Sequence, residues 1–563
     1  MEPINASELL IQVQEWIVHD PDPETRLELQ NLLEQNDLDS LHDRFSGRLT
    51  FGTAGIRGVQ GGGPNRMNQL TLRRVAIGIA KYLGKDTSVI IGYDARKNSQ
   101  TYAADMANVL SHYGVHSQIF TEVVPTPLVS FAVRQQSADL GIMITASHNP
   151  ATDNGCKVFL SDGAQLRSPV DTEIDERIEM SQFPPREISA GAGEIQEIEK
   201  KVWDEYCSTI ANTVRGVSGS LTIAYTPLHG VSWKTVKRIF ELSGVTDVVT
   251  VQSQLHPDPN FPSTPFPNPE EAGSLDLLFE VARNSKADIA VANDPDGDRL
   301  AIGVPTTNGE WRILTGDEVG ALLCNRILES TTGQNRKVVS SVVSSSLIGK
   351  IAKEAEVEHS QTLTGFKWII SEAYRDPTKR TVFSYEEALG YAVCDSVRDK
   401  DGISAALLFI EMAEDLARKN LTILDQINNL SLKHGLHVSR SQALRISDQG
   451  SFSQINFAAR LLDQKPPESL GGLHIQEFCD YDQAASTAGL LLPQSNMVRL
   501  ILETGIRILI RPSGTEPVVK VYLEKIVKVE EGQDIDHERS LTNFTFDSIE
   551  EGLQKYLKEV LIG

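Results

Sequence analysis

The chain has 563 residues, 40% hydrophobic and 23% charged, with 53 Lys and Arg against 76 Asp and Glu for a net charge of −23. This composition supports a globular core and excludes wholesale disorder, and the length implies roughly three to four domains. The acid excess argues against nucleic acid or an anionic membrane as partner, because polyphosphate binding rests on clustered cations; a small anionic substrate needs only a few local ones and stays open.

The N-terminal segment MEPINASELLIQVQEWIVHD is acidic and amphipathic and lacks the basic start and apolar core of a signal peptide. No run of about 18 apolar residues occurs, so no membrane span is expected. Cys156, Cys207, Cys324, Cys394 and Cys479 are far apart with no CxxC pair. That usage fits a reducing compartment, and a cytoplasmic protein is expected. Short apolar runs at 89–94, 139–145, 288–294, 337–343, 380–385 and 507–511 read as buried strands. They alternate with helical patterns such as TLRRVAIGIAKYLG and DEVGALLCNRILES, which predicts α/β units with largely parallel sheets. Breaks are expected within 171–200, near 314–318 and near 433–440. HPDPNFPSTPFPNPEE carries six prolines between 257 and 269, composition that fits an ordered extended loop or a plain linker.

Six segments carry candidate chemistry. FGTAGIRG (51–58) is a glycine-rich loop holding one cation, Arg57, and it matches neither G-x-G-x-x-G nor the P-loop. TASHNP (145–150) follows an apolar strand, where ligands sit in parallel α/β sheets. Ser147 lacks a nucleophile-elbow context, and His148, its neighbour, would face the other way in extended chain, which makes a hydrolase-style pair awkward. A phosphorylated serine is the more economical role, with an ordinary polar turn as the alternative. DPDGDR follows another strand and alternates Asp294, Asp296 and Asp298 in a loop forced by Pro and Gly. Such a cluster repels itself unless a cation sits between the carboxylates, and few hard oxygen donors suit Mg²⁺. An EF-hand is excluded because position 12 would be Pro305. GFKW (365–368) offers Lys367 in an aromatic setting. EEALGY (386–391) places Glu386 at a strand end, where carboxylates accept hydrogen bonds from sugar hydroxyls. RPSGTEP (511–517) combines a cation, two hydroxyls and a freed backbone into a possible anion cradle, with Lys520 beyond it.

In this order the six segments resemble the motifs of the α-D-phosphohexomutase superfamily, which includes phosphoglucomutase and phosphomannomutase, and most of all its phosphoglucomutase/phosphopentomutase-like branch. The resemblance implies an α/β protein of four domains around a central cleft, three with mixed sheets and a smaller C-terminal α+β domain. Limits are expected at 1–205, 206–314, 315–436 and 437–563, the first including an N-terminal helical extension. It also implies Ser147 as the phosphorylated residue, with Ser147, Asp294, Asp296 and Asp298 holding one Mg²⁺ per chain. Arg57, His148 and Lys157 are implied to act with Ser147, His148 and Lys157 as general acid or base, and Lys157 would need a depressed pKa for a base role. Thr53, Arg299, Gly365, Lys367, Glu386, Arg511, Ser513, Gly514 and Thr515 are implied to bind substrate. The expected reaction moves phosphate between C1 and C6 of a hexose phosphate, with glucose 1,6-bisphosphate as intermediate and activator. Its partners would be small sugar phosphates, in a monomer or homodimer. A phosphopentomutase, a glucose-1,6-bisphosphate synthase and a catalytically silent binding homologue are the alternatives. Ala388 departs from the family's Glu-x-Ser sugar contact and leaves the sugar undetermined.

Overall fold

The computed structural model describes residues 5–52, 55–188, 191–444, 467–481, 496–512 and 518–562, with only the backbone for 560–562. The chain forms two compact units, Met1–Leu314 with Ala388–Glu414, and Thr315–Glu387 with Asp415–Gly563.

Unit one begins with helices Ala6–His19, Pro23–Glu34 and Leu38–Phe45, each started by a side chain (Asn5, Asp22, Asp37) that accepts a backbone N–H of the first turn. Their apolar stripes close over Leu9, Val13, Trp16, Leu29, Leu41 and Phe45. Each fully buried side chain of this size contributes roughly 1.5–3 kcal/mol. Next comes a six-stranded sheet in the spatial order Ile56–Val59, Asp153–Leu160, Leu140–Ile144, Ser88–Tyr93, His116–Ile119, Ile195–Glu197. The last four strands run parallel, and Asp153–Leu160 returns antiparallel beside Leu140–Ile144. A second mixed sheet has the order Trp311–Ile313, Leu300–Pro305, Ile289–Asn293, Ile223–Thr226, Val248–Thr250. Here too the hairpin at Ile289–Asn293 and Leu300–Pro305 is antiparallel. In both sheets the loop that leaves a buried strand returns immediately along its edge. These short hairpins carry the chemistry.

In unit two, Arg336–Ser341 lies between Glu358–Thr362 and Arg380–Glu386, parallel to both. The helix Gly316–Ser330 before them starts in a capping box of Thr315 and Glu318. The C-terminal sheet is wholly antiparallel, in the order Leu436–Leu444, Val519–Val527, Arg507–Pro512, Val498–Leu502, Leu473–Asp480, Ser469–Leu470. The helix Ile535–Ile562 covers it through Phe546, Ile549, Leu553 and Leu557. Three α/β layers and one smaller α+β layer match the expected fold class, and all six predicted strands are present within two residues of their expected ends.

Candidate active site

Ser147 follows the buried strand Leu140–Ile144, and its backbone is left-handed at φ 54°. Arg96 explains how the turn is held. Its guanidinium donates to the carbonyls of Ser147, Asn149 and Pro150 at 2.6 Å each and to that of Asp153 at 3.1 Å. Asp94 pairs with it from 3.3 Å, and the Phe261 ring lies 4.9 Å from its charge. Phe261 belongs to the proline-rich segment, which is therefore an ordered loop and no plain linker. Phe261 buttresses this turn, and Glu270 of the same segment pairs with Arg299 at 2.8 Å.

The left-handed turn corrects the expectation about Ser147 and His148. In extended chain the two would diverge, but here His148 Nδ1 lies 3.3 Å from Ser147 Oγ. Burial, reinforced by Arg299 and Arg57, holds the imidazole well below its ordinary pKa and hence neutral. On the other side Ser147 Oγ donates to Asp294 Oδ2 at 2.7 Å. Ser147 itself is 1% exposed.

Asp294, Asp296 and Asp298 are buried, and one carboxylate oxygen of each lies within 4.8 Å of the others. Gly297, with φ 73°, makes the tight return between them. Lys157, on the strand Asp153–Leu160, reaches Asp296 and Asp298 at 2.6 Å each. Thr126 donates to Asp296 from its hydroxyl at 2.5 Å and to the Asp296 carbonyl from its N–H at 2.8 Å. The carboxylates divide accordingly. Burial and its two neighbours push Asp294 well above the ordinary carboxylate range. Burial opposes the charge on Asp296 as well, yet Lys157 and the bonds from Asp294 and Thr126 pull it down. Asp298 also ends below its ordinary value, because Lys157, Lys400 and Arg299 outweigh burial and Asp296.

Asp296 Oδ1 and Asp298 Oδ1 are buried and accept no hydrogen bond among the described residues. Unused hard oxygens on two of three converging carboxylates fit a divalent cation such as Mg²⁺. The same carboxylates hold the charge on Lys157. Burial alone would lower its pKa, but Asp296 and Asp298 more than offset this and hold it above its ordinary value.

Arg57 lies on the strand Ile56–Val59 and donates to Asn149 at 3.3 Å, and the Arg299 N–H donates to Asp294 at 2.9 Å. Ser147, His148, Lys157, Arg57, Arg299 and the three aspartates therefore converge. Three further residues of the site were missed from sequence. Arg96 stands in DARKNS and Thr126 between Pro125 and Pro127, stretches that match none of the six motif segments. Lys400, 3.4 Å from Asp298, comes from the distant segment 399–402. A cavity of about 480 Å³ beside Trp203 and Lys234 is lined by none of these residues. Chemistry, rather than concavity, locates the site.

Unit two holds the other candidates. Gly365, with φ 114°, caps the helix Phe366–Ala373, and Lys367 lies over the Trp368 ring at 5.6 Å. Glu386 ends a strand and is buried. Its neighbour Glu387 accepts from Ser341 at 2.9 Å and Ser344 at 3.1 Å. Arg511 bonds the Tyr522 hydroxyl at 3.0 and 3.2 Å. Thr53, Ser513, Gly514 and Thr515 lie outside the described residues.

Comparison with known proteins accounts for this arrangement. Residues 48–184, 204–308 and 315–430 match the alpha/beta/alpha domains I, II and III of phosphoglucomutase/phosphomannomutase, and 475–540 match its C-terminal domain. A Mus musculus phosphopentomutase is 34% identical over 562 residues, covering 91% of this chain and 89% of its own. A Staphylococcus aureus phosphoglucomutase is 34% identical over 508 residues, covering 87% and 92%. The crystal structure of a Burkholderia thailandensis phosphoglucomutase/phosphomannomutase family protein shares the fold, with a TM-score of 0.67 at 19% identity over 90% of this chain and 97% of that one. With all four domains matched and a relative at 34% identity spanning nearly its whole length, the chain belongs to the phosphoglucomutase/phosphomannomutase family and is an enzyme of the mutase class of isomerases.

Proposed function

We propose that the enzyme moves phosphate reversibly between C1 and C6 of a hexose phosphate, glucose first and mannose second, through phosphorylated Ser147 and a sugar 1,6-bisphosphate. The observation that carries this reading is the seat of Ser147 Oγ, 2.7 Å from Asp294 and 3.3 Å from His148. A serine meant for acyl transfer would need an oxyanion hole as well as a base. This one faces three carboxylates, a setting that suits a phosphoryl group shared with a cation.

In the first half-reaction the C6 hydroxyl of a sugar 1-phosphate attacks the phosphorus of phosphoserine 147. A new O–P bond forms, the P–Oγ bond breaks, the leaving Ser147 Oγ takes up a proton, and the C6 hydroxyl proton passes to a base. His148 is the candidate, by its distance from Oγ. The resulting bisphosphate turns over, and in the second half Ser147 Oγ gives up its proton and bonds to the C1 phosphorus as the C1 O–P bond breaks. The C1 oxygen receives a proton and the 6-phosphate leaves. Lys157, held by two aspartates, contributes fixed positive charge or acts as the acid; Arg57 and Arg299 add charge beside the serine. Asp294, Asp296 and Asp298, with Ser147, would hold Mg²⁺, which supplies charge neutralisation for the transferring group. Glu386 is proposed to accept bonds from sugar hydroxyls, and Lys367, Arg511, Ser513, Gly514 and Thr515 to hold the phosphate that does not react. Domain limits are proposed after residues 205, 314 and 436.

A second reading, phosphopentomutase, is favoured by the equal 34% identity of the mouse phosphopentomutase and by Ala388 in place of a serine. One hydroxyl contact is enough to shift sugar preference by orders of magnitude. The test is kcat/KM for glucose, mannose and ribose 1-phosphates, measured with Mg²⁺ and glucose 1,6-bisphosphate. Highest turnover of glucose 1-phosphate is expected. A strong preference for ribose 1-phosphate would replace the first reading with the second.

A further inference from the structure

Within unit two, one buried carboxylate ties two segments that come from different sheets. Glu524 lies on the strand Val519–Val527 and is 4% exposed. Its Oε1 accepts from Ser345 Oγ at 2.8 Å and Ser346 N–H at 2.7 Å, and lies 3.1 Å from His437 Nδ1. Its Oε2 pairs with Arg507 at 2.9 Å. Arg507, the cross-strand neighbour of Glu524, donates to the carbonyls of Val342 at 3.0 Å and Ser344 at 2.7 Å. The turn 341–346 is therefore gripped from the C-terminal sheet by a carboxylate on its N–H and hydroxyl groups and a guanidinium on its carbonyls.

Both ends of this grip lead to candidate substrate contacts. On one side the same turn holds the Glu386–Glu387 segment. The hydroxyls of Ser341 and Ser344 donate to the Glu387 carboxylate, and Ser344 Oγ accepts the Glu387 N–H at 3.1 Å. On the other side, Arg511 and Lys520 face each other on the same two strands as Arg507 and Glu524, four residues along. Four residues of antiparallel strand span about 13 Å and bring Arg507 and Arg511 to one face of the sheet. The Arg507–Glu524 pair thus fixes the register between the segment that carries Glu386 and the strand that carries Arg511.

We propose that Glu524 is a positioning residue for substrate, setting the sugar-contacting segment at Glu386 against the phosphate-binding Arg511. The proposal rests on the reading that Arg511 binds the substrate phosphate. It assigns Glu524 no contact with substrate.

Glu524→Gln is the selective probe. The amide oxygen can keep the Ser345, Ser346 and His437 donors, while the amide nitrogen then faces the Arg507 guanidinium, so only that link is lost. With whichever of glucose, mannose or ribose 1-phosphate the wild type turns over fastest, E524Q is expected to raise KM roughly tenfold and to leave kcat within about threefold. Arg511→Lys is expected to raise KM as well. In the double variant the two effects should fall well short of multiplying, because both act on the same contact. A residue that merely stabilised the fold would multiply with R511K. If R511K raises KM but E524Q leaves it unchanged, or the two multiply, the positioning role is overturned while the reading of Arg511 stands. If R511K leaves KM unchanged, that reading fails and takes the proposal with it. Should E524Q not fold, Ser345→Ala, which removes one bond to Glu524, enters the same cycle with the same criteria.

Discussion

Ser147 and Arg96 show how much of the site hangs on single side chains. Replacing Ser147 by Ala removes the proposed phosphoryl acceptor without adding volume, so turnover should fall at least about a thousandfold while the melting temperature changes little. Intact mass should show a phosphate adduct on the wild type after incubation with glucose 1,6-bisphosphate and none on the variant. Substantial residual activity in Ser147→Ala would mean another nucleophile. Arg96 is a different case. It touches four backbone carbonyls and the buried Asp94, so Arg96→Ala releases the turn and strands a carboxyl whose pKa burial already raises. Breaking one partner of such a pair costs about 3–5 kcal/mol, readable by urea unfolding, and the loosened turn should lower kcat by about a hundredfold. If kcat is unchanged, the turn holds its shape without Arg96.

At the scale of elements, the helix Gly316–Ser330 meets the C-terminal sheet through Asp317. Its carboxylate accepts from Ser439 at 2.5 Å, Ser345 N–H at 2.8 Å and the Tyr385 hydroxyl at 3.0 Å. Burial raises its pKa to about 6, against the pull of Ser439 and Ser345 and with help from Glu387 and Glu524. The folded value lies above the unfolded 3.8. The neutral acid is therefore the form favoured in the fold; its stabilisation is full below pH 3.8 and is lost as pH rises through about 6. The difference corresponds to about 3 kcal/mol. Asp317→Asn, which keeps the acceptor and needs no charge, should be more stable than wild type at pH 7 and should flatten the dependence between pH 4 and 6. Urea midpoints across that range measure both; an unchanged slope would mean that Asp317 is ionised at little cost. Glu524 works in the opposite sense. His437, Arg507 and Ser345 hold it down at about 2 despite burial, so its contribution is present above about pH 4.5 and is lost toward pH 2.

For the whole molecule, the acidic bulk and the acidic triad act differently. Most of the charge of −23 lies outside the Ser147 site and favours solubility over any particular partner. The triad is a local strain that a cation relieves. Mg²⁺ at a hundredfold excess over its Kd should stabilise the protein by about 2.7 kcal/mol, seen as a rise in melting temperature, and chelation should abolish turnover. In Asp294→Asn the rise should vanish while the ion-free melting temperature is unchanged or higher, since burial, Asp296 and Asp298 already disfavour the charge on Asp294. An Mg²⁺ shift that survives in this variant would move the metal elsewhere. Among the described residues no helix is long and apolar enough to cross a membrane.

Much of this was legible in the chain itself, because it rests on local rules. Apolar runs at strand spacing marked all six predicted strands, and Pro and Gly inside DPDGDR forced a loop that concentrates three charges. TASHNP and DPDGDR directly follow buried strands, whose apolar runs place them. The tertiary structure decided what depends on a single dihedral or on distant partners. The left-handed turn at Ser147 brings His148 to its hydroxyl, where an extended chain would have sent it away. Lys157 is a cation pinned by Asp296 and Asp298, residues about 140 positions along the chain whose approach no local pattern encodes. Arg96, Thr126, Lys400 and Glu524 sit in unremarkable sequence and gain their roles only when folding places carbonyls, carboxylates and buried strands around them. Sequence specified which groups are available; folding, by burial and proximity, set their charges and partners.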